Sequence, residues 1–226
     1  MDINSDFDLR VVETQQAAVW TASPQPGVDR RMLDRVGGEV ARATSIVRYA
    51  AGSRFDRHVH DGGEEIFVLQ GVFSDEHGDY PAGTYLRNPP GSAHAPFSRD
   101  GCILFVKLRQ FMAGDTTPTR IDTTTAAWYP GQVAGERIMP LHEHGGISTA
   151  LLRWAPQTQS NISAHPGGEE ILVLAGVLRV EENSYPAGTW LRNPRGSRQT
   201  TSTGAEGAML YVKTGAVGVS FPVPAA

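Results

Sequence analysis

The amino-acid sequence repeats itself at an interval of 105 residues. Gly62–Leu69, which reads Gly-Gly-Glu-Glu-Ile-Phe-Val-Leu, returns as Gly167–Leu174 with a single change. Tyr80–Pro89 returns at the same interval as Tyr185–Pro194, again with a single change. A repeat of this length indicates a duplicated structural unit, and about a hundred residues are enough for one small domain with its own core. The sequence therefore predicts two copies of one fold.

Short apolar runs, separated by glycine and proline, fill both copies. Examples are Thr44–Tyr49, Glu65–Val72 and Ile103–Leu108, and no stretch shows a helical period. Many short strands with turn signals between them are typical of an all-β sandwich or barrel. A polar, turn-rich segment separates the copies, so we expect one β-barrel in residues 1–113 and a second in residues 114–226.

The composition excludes several classes of protein. The formal charge is −4 and no block of like charges is present, so neither nucleic acid nor a membrane surface is predicted as a partner. The N-terminus is acidic and lacks the apolar segment of a signal peptide, and no apolar run approaches the roughly 18–20 residues of a membrane span. Cys102 is the single cysteine, which excludes an intrachain disulfide. We therefore expect a cytoplasmic protein.

The first copy carries a candidate metal site. His58 and His60 are two residues apart, so in an extended strand both side chains share a face. Glu64 has the same parity, although two glycines lie between and could interrupt the alternation. His94 follows a predicted hairpin that brings its strand beside the first. Three imidazoles and one carboxylate suit Zn, Fe, Mn, Ni or Co, and an octahedral ion would keep two positions for water or substrate.

Two longer patterns around these residues resemble the cupin motifs. The first is Gly52-x5-His58-x-His60-x3-Glu64-x6-Gly71, and the second is Gly83-x5-Pro89-x-Gly91-x2-His94, with Ser98 at the position where the motif ends in Asn. The flanking residues are most similar to the cupins of ChrR-type anti-sigma factors and their free-standing relatives. The resemblance implies a bicupin, that is, tandem double-stranded β-helix (jelly-roll) barrels. It also implies one metal ion bound by His58, His60, Glu64 and His94.

The second copy has lost most of these residues. At the 105-residue interval the four ligand positions hold Ser163, His165, Glu169 and Gln199. Such a set would make a much weaker metal site. We therefore expect this barrel either to serve as a structural partner or to hold a ligand by hydrogen bonds.

Three functions fit the first copy. By resemblance, an iron-type centre would make the protein a dioxygenase that cleaves a small diketone or hydroxyketone. A zinc-binding stress sensor is the alternative that the ChrR resemblance implies, and a metal-stabilised scaffold without turnover is the third. A sigma factor is not an expected partner, because too few residues precede Trp20 for the family's N-terminal sigma-binding domain.

The sequence also indicates which apolar residues would surround a small-molecule ligand. Phe55, Ile66 and Phe105 are predicted to face the barrel interior, although packing of the core explains them equally well. A homodimer formed through exposed edge strands stays open.

Overall fold

The structure is a computed structural model that describes residues 1–17, 19–38, 40–160, 166–219 and 221. Within these residues the chain is built of β-strands, with one short 3-10 helix at Gln15–Ala17 and no α-helix. The all-β prediction is thus confirmed. None of the described helices is long and apolar enough to span a bilayer.

Eleven of the described strands precede residue 123. They are β1 (Val11–Glu13), β2 (Thr21–Ala22), β3 (Val28–Gly37), β4 (Ala41–Tyr49), β5 (His58–His60), β6 (Glu64–Asp75), β7 (Gly78–Pro81), β8 (Thr84–Asn88), β9 (Ser92–His94), β10 (Cys102–Leu108) and β11 (Thr119–Asp122).

Eight described strands follow in the remainder of the chain. They are β12 (Tyr129–Pro130), β13 (Glu136–His144), β14 (Ile147–Trp154), β15 (Gln159–Ser160), β16 (Glu169–Val180), β17 (Asn183–Pro186), β18 (Trp190–Asn193) and β19 (Thr201–Thr214).

Two compact units share the same antiparallel topology. In the first unit the main sheet runs β11-β8-β6-β10-β4-β3-β2, β7 pairs with β6, and a two-stranded sheet joins β5 to β9. In the second unit the main sheet runs β1-β18-β16-β19-β14-β13-β12, with β17 on β16 and β15 on β19. The two orders correspond strand for strand, as a duplication requires.

The compact units do not follow the two repeats continuously. The described part of the first unit comprises residues 1–5, 19–38, 40–126 and 221, and that of the second comprises residues 6–17, 127–160 and 166–219. As a result β1, at the start of the first repeat, forms the edge of the second unit's sheet, and β11, at the start of the second repeat, forms the edge of the first unit's sheet. Each repeat contributes its opening strand to the other unit. The division between residues 113 and 114 stays a prediction of where the repeats meet.

Each barrel has its own apolar core. In the first unit the core residues on β10 are Cys102, Leu104 and Val106, which alternate along the strand as one face of a sheet requires. In the second unit Leu210 and Val212 occupy the equivalent positions on β19.

The opposite face of the first unit's sheet carries buried charges. Glu65 and Arg87 are each 1% exposed in their side chains, and Arg87 Nη1 donates to Glu65 Oε2 at 2.7 Å. Arg87 also pairs with Asp115 and lies 4.0 Å from the centre of the Phe111 ring. Glu65 thus points away from the barrel interior, to the face opposite Glu64, and is buried in an ion pair.

Candidate metal centre

Two short paired strands position three histidines. β5 runs antiparallel to β9, so His58 lies directly opposite His94, and His60 lies opposite Ser92. Val59, between the two histidines of β5, is 63% exposed, whereas His60 is buried. The imidazoles of β5 therefore share the inward face. The ring centres of the three histidines lie 4.7 to 5.2 Å apart.

Glu64 reaches the same point from the next strand. It is the first residue of β6, and a turn with Gly63 at φ +77° separates it from β5. A Cβ at Gly63 would also lie 2.4 Å from the Phe111 ring, so glycine is required on two grounds. Glu64 Oε2 lies 3.4 Å from His60 Nε2 and 3.6 Å from His94 Nε2. The turn, and not strict strand alternation, places the carboxylate.

The donor atoms suit a metal ion. One ring nitrogen from each of the three histidines falls within a group whose atoms lie within 4.8 Å of one another. His60 Nε2 and His94 Nε2 are buried and have no hydrogen-bond partner in the described part of the chain. Burial lowers the pKa of His60, which favours the neutral imidazole that binds metals. Burying a ring nitrogen without a hydrogen-bond partner costs free energy, and a divalent ion bound between His60 and His94 would give both nitrogens a partner.

Hydrogen bonds at the opposite ring nitrogens fix the orientation of two histidines. His58 Nδ1 lies 2.9 Å from the carbonyl oxygen of Asp56, and His94 Nδ1 lies 3.2 Å from Asp75 Oδ2. A proton on Nδ1 donates in each case and leaves Nε2 as the ligand atom. Asn88 Nδ2 donates to Glu64 Oε2 at 3.2 Å and holds the carboxylate.

Asp75 is the functional residue that the sequence motifs miss. It is 8% exposed, and besides His94 it accepts hydrogen bonds from the Tyr80 hydroxyl at 2.9 Å and from the backbone N–H of His77 at 2.8 Å. Burial and the hydrogen bond to Asp75 raise the pKa of Tyr80 to about 12, so its hydroxyl stays a donor. The repeat contains a signal for this role, because the second copy, which has Gln199 in place of His94, has Val180 in place of Asp75.

An exposed carboxylate ties together the segments that carry His58 and His94. Glu76 pairs with Arg57, the residue before His58, and accepts the backbone N–H of Ala95, the residue after His94, at 2.8 Å. The pKa of Glu76 is lowered to about 2, mainly by the backbone hydrogen bond from Ala95 and to a smaller extent by the charge of Arg57.

A cavity of about 270 Å³ begins at the candidate ligands. His58, His60 and Glu64 form part of its wall, and much of the remainder is apolar. Of the three residues predicted to surround it, Phe55 and Ile66 do so. The prediction for Phe105 is wrong: its neighbours Leu104 and Val106 face the cavity, and Phe105 is buried on the other side of β10 against Lys107.

The corresponding region of the second barrel contains different contacts. Glu169 Oε1 accepts hydrogen bonds from Asn193 Nδ2 and Gln199 Nε2, both at 2.9 Å. The Asn–Glu contact therefore occurs in both barrels, whereas Gln199 in the second barrel takes the place of His94 in the first. Ser163 and His165, the other candidate residues of this degenerate site, lie outside the described residues.

Two β-barrels from a tandem repeat, with a histidine cluster inside the first, define a bicupin. The sequence model of the ChrR cupin-like domain family matches residues 8–112 and again residues 116–218. The chain belongs to this family, and the predicted recognition and fold are confirmed. No curated protein is detectably similar to the chain.

Solved structures share the fold at low sequence identity. A proposed dioxygenase from Nostoc punctiforme matches with a TM-score of 0.78 at 14% identity, over 96% of this chain and 86% of that one. The pirin YhhW of Escherichia coli, in complex with nickel(II), matches with a TM-score of 0.69 at 13% identity, over 91% of this chain and 99% of that one. An oxalate decarboxylase of Bacillus subtilis with Mn(II) centres matches with a TM-score of 0.64 at 12% identity, over 94% and 78%. At these identities the likeness shows the cupin fold alone.

Proposed function

We propose that the first barrel binds one divalent transition metal through His58, His60, Glu64 and His94 and is an oxygenase site for a small diketone or hydroxyketone. The observation that supports turnover is the cavity of about 270 Å³ that adjoins three of these side chains. A purely structural metal site is closed by its protein ligands. Space beside the ligand atoms is what a substrate requires.

The cavity limits the substrate to a small molecule. Pockets for drug-sized ligands measure roughly 300–1,000 Å³, and this one is smaller. Its walls include Val47, Leu104 and Val106, which exclude water and favour a compact apolar body. Arg30 adds a guanidinium to the wall, and a positive charge favours an enolate over its neutral ketone.

The protein residues have separate roles in this proposal. The metal would supply Lewis acidity at the substrate oxygens and, if iron, redox chemistry with dioxygen. Asp75 holds the proton on His94 Nδ1, Asn88 orients Glu64, and the apolar walls keep bulk water away from the reacting atoms. The names of the nickel, manganese and dioxygenase neighbours are consistent with metal-dependent chemistry on this fold.

Metal analysis and oxygen uptake test the proposal together. Protein purified without added metal should contain one transition-metal ion per chain, and the iron-loaded protein should consume oxygen with at least one member of a β-diketone and hydroxyketone panel. Absence of uptake across the panel would contradict the oxygenase, and bound zinc in place of iron would favour the sensor alternative.

A matched pair of variants tests the ligand assignment. His94→Ala should lose most of the metal, because it removes one of four ligands, whereas Gln199→Ala, at the equivalent position of the second barrel, should retain it. Equal loss in the two variants would refute a single site in the first barrel.

A further inference from the structure

The second barrel encloses a larger cavity than the first. Its volume is about 540 Å³, against about 270 Å³ in the barrel with the histidine cluster. Protein interiors are close-packed, so a barrel retained only for structure would be expected to fill this space. The volume lies within the range of small-molecule binding sites.

Substitutions between the repeats account for the additional space. In the first barrel the rings of Phe55 and Phe73 pack against Tyr49, with centroid distances of 5.6 and 5.9 Å. At the 105-residue interval these two phenylalanines become Ser160 and Leu178, and both replacements line the larger cavity. The second barrel has thus lost two aromatic side chains from its interior.

The second cavity has also gained a fixed carboxylate. Glu136 lies opposite Trp154 in the β13–β14 pair, where the first barrel has Val28 opposite Tyr49. Glu136 Oε2 accepts the Trp154 indole N–H at 2.8 Å, and Oε1 accepts the backbone N–H of Gln132 at 2.7 Å. A carboxylate has about four acceptor sites, so these two bonds orient Glu136 without exhausting its capacity.

The charges on the two cavity walls differ. The first cavity is lined by residues of both signs, Arg30 and Arg109 with Asp61 and Glu64, and by two histidines. Among its described residues the second is lined by two carboxylates, Glu136 and Glu169, and by no lysine, arginine or histidine. The indole of Trp154 adds an aromatic surface of the kind on which cations bind.

We propose that the second barrel is a binding site for a small organic cation, an ammonium group on a short apolar body. The ammonium would donate hydrogen bonds to Glu136 beside the Trp154 ring. The apolar body would lie against Leu152, Ile171 and Leu210 in the interior. The site is separate from the metal chemistry proposed for the first barrel.

Calorimetric titration of the full-length protein with three matched probes tests this assignment. The probes are 2-phenylethylammonium, the neutral 2-phenylethanol and the anionic 3-phenylpropionate. We expect one ammonium ion to bind per chain, at least about 10-fold more tightly than the alcohol, because a hydrogen bond between two charged groups is stronger than one with a neutral partner. The carboxylate should bind most weakly. Equal affinity for ammonium and alcohol, or no binding of any probe, would overturn the proposal.

Variants locate the binding. Glu136→Gln should weaken the affinity for the ammonium probe about 10-fold or more and change the affinity for the alcohol less than about 3-fold. Glu182→Gln, which changes an exposed charge on a turn, should change neither affinity. Ser160→Phe restores the ring found in the first barrel and should abolish binding of both probes while the metal content is unchanged. Leu178→Phe provides the same test should Ser160→Phe not fold. Binding that persists in a folded, filled variant, or that weakens equally in Glu182→Gln, refutes the site.

Discussion

Replacement of Asp75 by valine tests whether the carboxylate behind His94 contributes to metal binding. Valine is the residue that the second barrel carries at this position, where the sheet accepts it at 0% exposure. In the first barrel the change removes the acceptor of His94 Nδ1, which lies 3.2 Å from Asp75 Oδ2. Carboxylates that orient a metal-binding histidine typically contribute 10–100-fold in affinity. The metal affinity should therefore fall by about 1.4–2.7 kcal/mol.

The same substitution affects stability through a different group. The Tyr80 hydroxyl donates to Asp75 at 2.9 Å, and a buried donor without an acceptor costs about 1–3 kcal/mol. Metal-free Asp75→Val should therefore unfold at lower denaturant concentration, and adding Tyr80→Phe should restore part of the stability. The double variant should keep the weak metal affinity, because His94 still lacks its acceptor.

Two measurements separate these effects. Competition with a chromophoric chelator gives the metal affinity, and urea unfolding of the metal-free protein gives the stability. Asp79→Asn, which changes an exposed carboxylate on the same β6–β7 hairpin, is the control and should leave the affinity unchanged. If Asp75→Val binds metal as tightly as Asp79→Asn while losing only stability, the orienting role is refuted.

Three further changes have distinct expected outcomes. The pKa of Glu76 is lowered from 4.5 to about 2, so its contribution to stability is complete above about pH 4.5 and is lost as the pH falls toward 2. The difference in melting temperature between wild type and Glu76→Gln should therefore shrink as the pH falls over that window. A difference independent of pH would contradict this. Gly71→Ala should lower the free energy of unfolding in urea by at least about 2 kcal/mol, because φ is +73° and the new Cβ would lie 2.2 Å from a backbone carbonyl oxygen. Gly91→Ala, at φ +85° in open space, should lower it by only about 1 kcal/mol. Equal losses of stability would contradict the steric explanation. Arg87→Met should destabilise the protein by about 3 kcal/mol in the same assay, because it removes the guanidinium from buried Glu65, and a neutral effect would show that the ion pair is dispensable.

Alternation and repetition predicted two all-β units and the shared face of two histidines, and the resemblance to the cupin motifs predicted the jelly-roll fold and the complete histidine cluster. His58 and His60 share a face because β5 is extended, and the motif spacing identified His94, which the β5–β9 pairing brings opposite His58. The repeat predicted the matching sheet orders of the two units. These features depend on local backbone geometry and on spacing, both of which are present in the sequence itself.

The features that the sequence did not predict depend on contacts between distant residues, or lie on strands whose apolar and polar residues do not alternate. Asp75 is 19 residues from His94 and lies in neither cupin motif, so only the fold brings it to the imidazole. Phe105 was assigned to the wrong face because the first five residues of β10, Cys102–Val106, are apolar on both faces of the strand, so the sequence shows no alternation there. The pairing of β1 with β18 joins Val11 to Arg192, which are far apart in the sequence, and no local pattern indicates it.

The placement of β1 and β11 has a consequence for how the chain can be divided. Cleavage between residues 113 and 114 would separate two strands from the sheets that they complete. The first fragment would keep β1, which pairs with β18 of the second fragment, and the second fragment would keep β11, which pairs with β8 of the first. Alone, each fragment would expose an unpaired sheet edge and would gain most by associating with a complementary edge. Two copies of a single repeat could satisfy this need by exchanging strands across a two-fold axis. In the tandem chain both partners are covalently joined, so their effective concentration no longer depends on the amount of protein in solution. Since one barrel is then always accompanied by the other, its interior is free to change residues such as those at Val180 and Gln199 without loss of the fold.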